Sequence, residues 1–120
     1  MQGEQIEEKS LQMLIGEQLS AVAFVQDYVQ LHFDGPRLAV FYHAVFRLGD
    51  QTFPGGKPGF RDALCNNIAK KVTEARIAYG DSISISFADG SMIKISLKDE
   101  DYSGGEAVNF DTGGSVWWSL

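Results

Sequence analysis

A chain of 120 residues, 44% hydrophobic and 22% charged, suits a single domain spanning 1–120 whose core needs no metal or disulfide staples. Sixteen Asp and Glu against ten Lys and Arg give a formal charge of -6; with the basic residues scattered, this disfavours duplex nucleic acid and anionic membranes as partners. No run approaches the roughly 20 apolar residues of a membrane helix, MQGEQIEEK lacks a targeting pattern, and Cys65 has no second cysteine to pair with, so a cytoplasmic bacterial protein is expected.

The segment from Glu4 to Ile15 reads as a helix, with Glu4, Glu7 and Glu8 in its first turns and Gly16 as its cap. Period-two alternation then predicts strands at Val22–Phe24 and Val29–Phe33, joined at Gln26–Asp27. Asp34–Gly35 supplies turn chemistry, and Leu38–Phe46, nearly all apolar, predicts one strand covered on both faces. RLGDQTFPGGKPG (47–59) is expected to be a loop. A second helix is predicted from Phe60 to about Ala69, with Phe60, Leu64 and Ile68 stacked. Strands follow at Val72–Tyr79, Ser82–Phe87 and Met92–Leu97, turning at Asp89–Gly90. A hairpin from 106 to 120 closes the chain.

The two halves align. Ile15, Leu19, Ser20 and Phe24 fall on Ile68, Val72, Thr73 and Ile77, each 53 positions later; Val29, Leu31 and Phe33 fall on Ile83, Ile85 and Phe87 at an offset of 54, and Leu38 and Val40 on Ile93 and Ile95 at 55. The offset grows only at turns, where insertions are tolerated. The expected fold class is therefore α+β: an internally duplicated helix plus three-stranded antiparallel meander (units about 4–46 and 59–97), closed as two layers or a barrel-like sheet.

No catalytic motif emerges. GGKPG resembles a phosphate loop, but Gln51 stands where its first glycine belongs and Pro58 replaces the metal-binding hydroxyl residue. Asp99, Asp101, Ser103 and Gly104 imitate half of a calcium loop, yet the twelfth position is Phe110. His32, His43 and Cys65 lack the spacing of a nucleophilic or metal set. A non-enzyme without cofactor or metal is expected. Trp117 and Trp118, adjacent on the last strand, must face opposite sides. With Phe41 and His43 on the apolar Leu38–Phe46 strand, they form the candidate interaction surface.

Leu14-Ile15-Gly16, Gly59-Phe60-Arg61-Asp62-Ala63-Leu64-Cys65, Phe87-Ala88-Asp89-Gly90, Gly105-Glu106-Ala107 and Trp117-Trp118 together resemble a group of small bacterial proteins of unknown function. That resemblance covers most of the chain after the first helix and implies no activity; Gly105 stands where the group has proline. The favoured expectation is a non-catalytic protein-interaction module, such as an immunity-type or regulatory partner, binding another protein or a second copy. The alternative is a small-molecule binder using a cavity between the two units.

Overall fold

The computed structural model describes residues 6–26, 28–41, 43–101, 106–114 and 116–120. The expected helix start at Glu4, Asp27 in the first turn, Tyr42 in the long apolar strand, Ser103 and Gly104 of the acidic turn, Gly105 and Ser115 lie outside these. The fold is α+β and dominated by antiparallel sheet: among the described residues, ten strands accompany two short α-helices. No described helix is long and apolar enough to cross a membrane.

Helix α1 (Ile6–Leu11) runs into one 3-10 turn, Gln12–Leu14, burying Leu11 and Leu14. The chain then forms β1 (Ala21–Val25), β2 (Tyr28–His32), β3 (Arg37–Val40), β4 (Ala44–Leu48) and β5 (Gln51–Pro54). After α2 (Phe60–Cys65) come β6 (Val72–Ala78), β7 (Ser82–Phe87), β8 (Met92–Ser96), β9 (Val108–Asp111) and β10 (Trp117–Ser119). One sheet has the order β1-β2-β3-β9-β10 and the other β5-β4-β8-β7-β6. Their inward residues, among them Leu31, Phe33, Leu38, Phe46, Ile85, Ile93 and Phe110, belong to one apolar cluster.

Four expectations need correction. The run Leu38–Phe46 is two strands in different sheets, not one. The Phe41 N–H donates to Ala107 O at 2.9 Å, and the His43 carbonyl accepts from the Ser96 N–H at 2.8 Å, so the bend between them hands the chain from one sheet to the other. Nor are both faces covered, since Val45 is 37% exposed. The 47–59 segment is no simple loop: Gln51–Pro54 pairs with β4 across the Gly49–Asp50 turn. Proline is tolerated there because β5 is an edge strand. The second helix stops at Cys65, leaving Ile68 partly exposed instead of stacked on Leu64. Ser82, which alternation with Ile83, Ile85 and Phe87 predicts on the outer face with Ser84 and Ser86, is buried.

Residues 53 to 55 positions apart meet equivalent partners. Phe24 pairs with Val29 as Ile77 pairs with Ile83, and Leu31 with Leu38 as Ile85 with Ile93. The bonds between the halves occur twice, with the halves exchanged. Gly16 N–H donates to Val72 O at 2.8 Å and Ala69 N–H to Leu19 O at 2.7 Å; Val72 N–H donates to Glu17 O at 2.8 Å and Leu19 N–H to Lys70 O at 3.0 Å. Ser20 Oγ donates to His32 O, as Thr73 Oγ1 does to Ser86 O. Helix α1 packs on β6, and α2 packs against β1, β4 and β5. On the β6 edge the Glu8 carboxylate accepts the Ile77 N–H at 2.9 Å, satisfying a donor that an edge strand would leave open.

The equivalent positions Gly16 and Ala69 both have positive φ, +90° and +82°. Glycine adopts that conformation freely, whereas alanine is strained in it. Ala69→Gly is expected to stabilise the protein by about 0.5–1 kcal/mol, read as a raised denaturation midpoint at unchanged slope. A lowered midpoint would show that Ala69 does not hold this backbone.

A polar network ties the segment after α2 to the β7–β8 turn. Buried Asn67 donates through Nδ2 to the buried Ser91 Oγ at 3.0 Å, and Ser91 donates through Oγ and N–H to Asp89 Oδ1 at 2.5 and 2.9 Å. Lys70 Nζ lies 3.3 Å from Asp89 Oδ2. Burial alone would push the Asp89 carboxyl up, but the Ser91 bonds and Lys70 together hold it below its ordinary value. A carboxyl lowered on folding contributes stability above its unfolded pKa and loses it as pH falls through the folded value. Asp89→Asn should therefore melt lower than wild type at pH 7, with the gap closing below about pH 4. A gap that persists at pH 2 would assign the loss to packing instead of charge.

Candidate functional site

Alternation decides what the first sheet shows outward. With Val29, Leu31, Leu38, Val40, Val108 and Phe110 buried, their neighbours Tyr28, Gln30, His32, Arg37, Ala39, Asn109 and Asp111 take the opposite face. Register places Arg37 opposite Asp111 and Asp111 opposite Trp117. One row along, Gln30, Ala39, Asn109 and Ser119 stand side by side. The centre of this face is a shallow depression lined by Gln30, Ala39 and Asn109, with larger side chains at its corners.

Trp117 occupies one corner and is 70% exposed. Beside it Arg37 and Asp111 form a 3.6 Å ion pair whose half-exposed partners contribute little to stability. At the opposite corner the Tyr28 and Phe41 rings meet at 5.2 Å between centroids, tilted by 42°. Trp118 points the other way. It is 9% exposed, its ring lies 5.3 Å from Phe110, and its indole N–H donates to Ser10 Oγ at 2.6 Å, fastening α1 to the sheet.

Of the four sequence-selected residues, Phe41 and Trp117 share the outward face. They are separated by roughly 13 Å along the strands and about 10 Å across them. Trp118 belongs to the interior. His43 stands at the crossover and lines a separate depression of about 190 Å³ on the second sheet, with Asp81, Lys94, Lys98 and Asp101.

A larger cleft, of about 460 Å³, opens where the β1–β2 turn meets the 40–44 crossover and the 55–62 segment. Phe24, Val29, Val40, Ala44 and Phe60 line it with apolar surface, while Lys57, Arg61 and Asp62 bring charge to it. Gly59 fixes how α2 begins: its φ is +92°, and a Cβ there would come within 2.9 Å of the Phe53 ring. The Arg61 guanidinium lies 5.2 Å from the Phe24 ring centroid, a cation–π distance. None of the four sequence-selected residues lines this cleft, although a cavity between the two units is the alternative expectation. Its available signal was GGKPG running into Phe60-Arg61-Asp62, but the facing wall depends on the crossover, which the alternation concealed.

His32 Nε2 lies 3.2 Å from Gln30 Oε1, and the Cys65 thiol is free and exposed. Among the described residues no group of three His, Cys, Asp or Glu side chains is placed to hold a metal ion. Compared with protein-family models, with curated proteins and with solved structures, the chain matches none, so its own geometry carries the functional reading.

Proposed function

We propose that the chain is a non-catalytic protein-interaction module that docks a partner protein on the outward face of the β1-β2-β3-β9-β10 sheet. The carrying observation is Trp117, 70% exposed at the corner of a face whose central row is Gln30, Ala39, Asn109 and Ser119. The short Ala39 side chain in that row leaves a shallow depression that a second surface can enter. An exposed indole is the residue type that most often anchors such contacts. The free Cys65 thiol fits a reducing cytoplasm as the place of action.

The same reading takes the chain as one domain made of two copies of a helix-plus-meander unit. The exchanged pairs Gly16–Val72 and Ala69–Leu19 support it, because a two-fold arrangement of copies makes every bond between them twice. Through-hydrogen-bond NMR couplings for both pairs are expected; finding only one would remove the symmetry.

The docking face is tested with Ala39→Arg, which sets a long charged side chain in its central depression. The variant should melt with wild type and lose capture of the partner by about 30-fold, the size of a hot-spot loss. Undiminished capture would place the interface elsewhere. A second reading, small-molecule binding, is favoured by the 460 Å³ cleft, whose volume is that of ordinary ligand sites.

A further inference from the structure

We propose that this cleft binds a small organic monoanion with an apolar body, an aryl or alkyl carboxylate. The inference rests on the small-molecule reading and adds the chemistry of the ligand. Burial defines the floor: Val29, Val40 and Phe60 are 6%, 1% and 6% exposed, so a ligand seated on them meets fixed apolar surface. A flat hydrocarbon body loses water there at roughly 25 cal/mol per Å².

Charge defines the opening. The chain as a whole is acidic, at -6, yet Lys57 and Arg61 both line this cleft. Among the described residues neither has an ion-pair partner. Arg61 is held in place by its position over Phe24, so little side-chain freedom is lost when it binds an oxyanion. Asp62 shares the opening, and among the described residues that line it the balance is one positive charge. That balance suits one carboxylate and disfavours a dianion such as a phosphate monoester. The carboxylate would bind at Lys57 Nζ and the Arg61 guanidinium with its body against Phe24.

The test is a ¹⁵N NMR titration of the whole chain with 1-naphthoate and, separately, with its neutral analogue 1-naphthylmethanol. Both should produce saturable shifts in residues 24–26, 28–29, 55–57 and 59–62. Naphthoate should bind about tenfold more tightly, the strength of one charge-assisted hydrogen bond. The double variant Lys57→Gln, Arg61→Gln should lose that advantage while binding the alcohol as before. Equal affinities of the two probes for wild type would overturn the anion assignment and leave the cleft as a binding site. Absence of saturable shifts with either probe would overturn both. Should the double variant fail to fold, Lys57→Gln decides alone. Lys57 lies outside every helix and strand, and an unchanged naphthoate preference in that variant would refute the proposal.

Discussion

Phe33→Ala and Phe87→Ala should each destabilise the protein by about 3–5 kcal/mol, the cost of emptying a phenylalanine site in a packed core. The two residues hold matching places. Phe33 is 0% and Phe87 2% exposed, and Phe33 follows β2 as Phe87 ends β7, each just before a tight turn. Their N–H groups donate to the carbonyls of Pro36 and Ser91, both at 2.9 Å. Neither side chain has solvent to relax into, so the cavity persists. Against a total stability of about 5–15 kcal/mol, a melting temperature lower by roughly 10–20 °C is expected. Ser84→Ala, on the other face of β7, should stay within about 0.5 kcal/mol. Phenylalanine variants that melt within two degrees of wild type would invert the face assignment.

Trp118→Ala should also cost about 3–5 kcal/mol, while Trp117→Ala should cost less than about 0.5 kcal/mol. Adjacent tryptophans with unlike fates follow from the pleat. Trp118 loses its contact with Phe110 and the bond that ties Ser10, and so α1, to the sheet. Trp117 is 70% exposed and loses mostly water contacts. Trp118→Phe separates the two losses, keeping most of the packing and forfeiting about 1 kcal/mol of hydrogen bonding. Denaturant melts of the three variants measure this directly; equal destabilisation by the two alanine changes would mean that Trp117 is also covered.

Much of this architecture is legible in the residues because period-two alternation survives in it. Ser82 to Phe87, with Ile83, Ile85 and Phe87 at every second place, and Asp89–Gly90 after it announce the β7–β8 hairpin. Matching turns at Asp34–Gly35 and Asp89–Gly90 announce the like order of the halves. The crossover at residues 41–43 was hidden by the same rule. Leu38, Val40, Ala44 and Phe46 are all inward, so the pattern continues across a bend that changes sheets. Strand β5 was masked because its four residues sit among glycines and prolines, and local composition outweighed a pairing that only β4 reveals. Ser82 looked outward by parity, but its place beside the β6–β7 turn buries it, with its hydroxyl donating to Asp81 at 2.9 Å. The opposed faces of Trp117 and Trp118 could be read in advance. Which of the two is buried could not, because that depends on where α1 lies.

The outward face is tested most directly through Trp117 itself. In Trp118→Phe the remaining indole is at position 117, and its fluorescence reports on that face alone. In the isolated chain the emission should be red-shifted and readily quenched by acrylamide, as befits a side chain 70% exposed. On adding the captured partner the emission should move to the blue and quenching should fall, because docked anchors are desolvated. Emission that stays red and fully quenchable with the partner bound would contradict the assignment of this face.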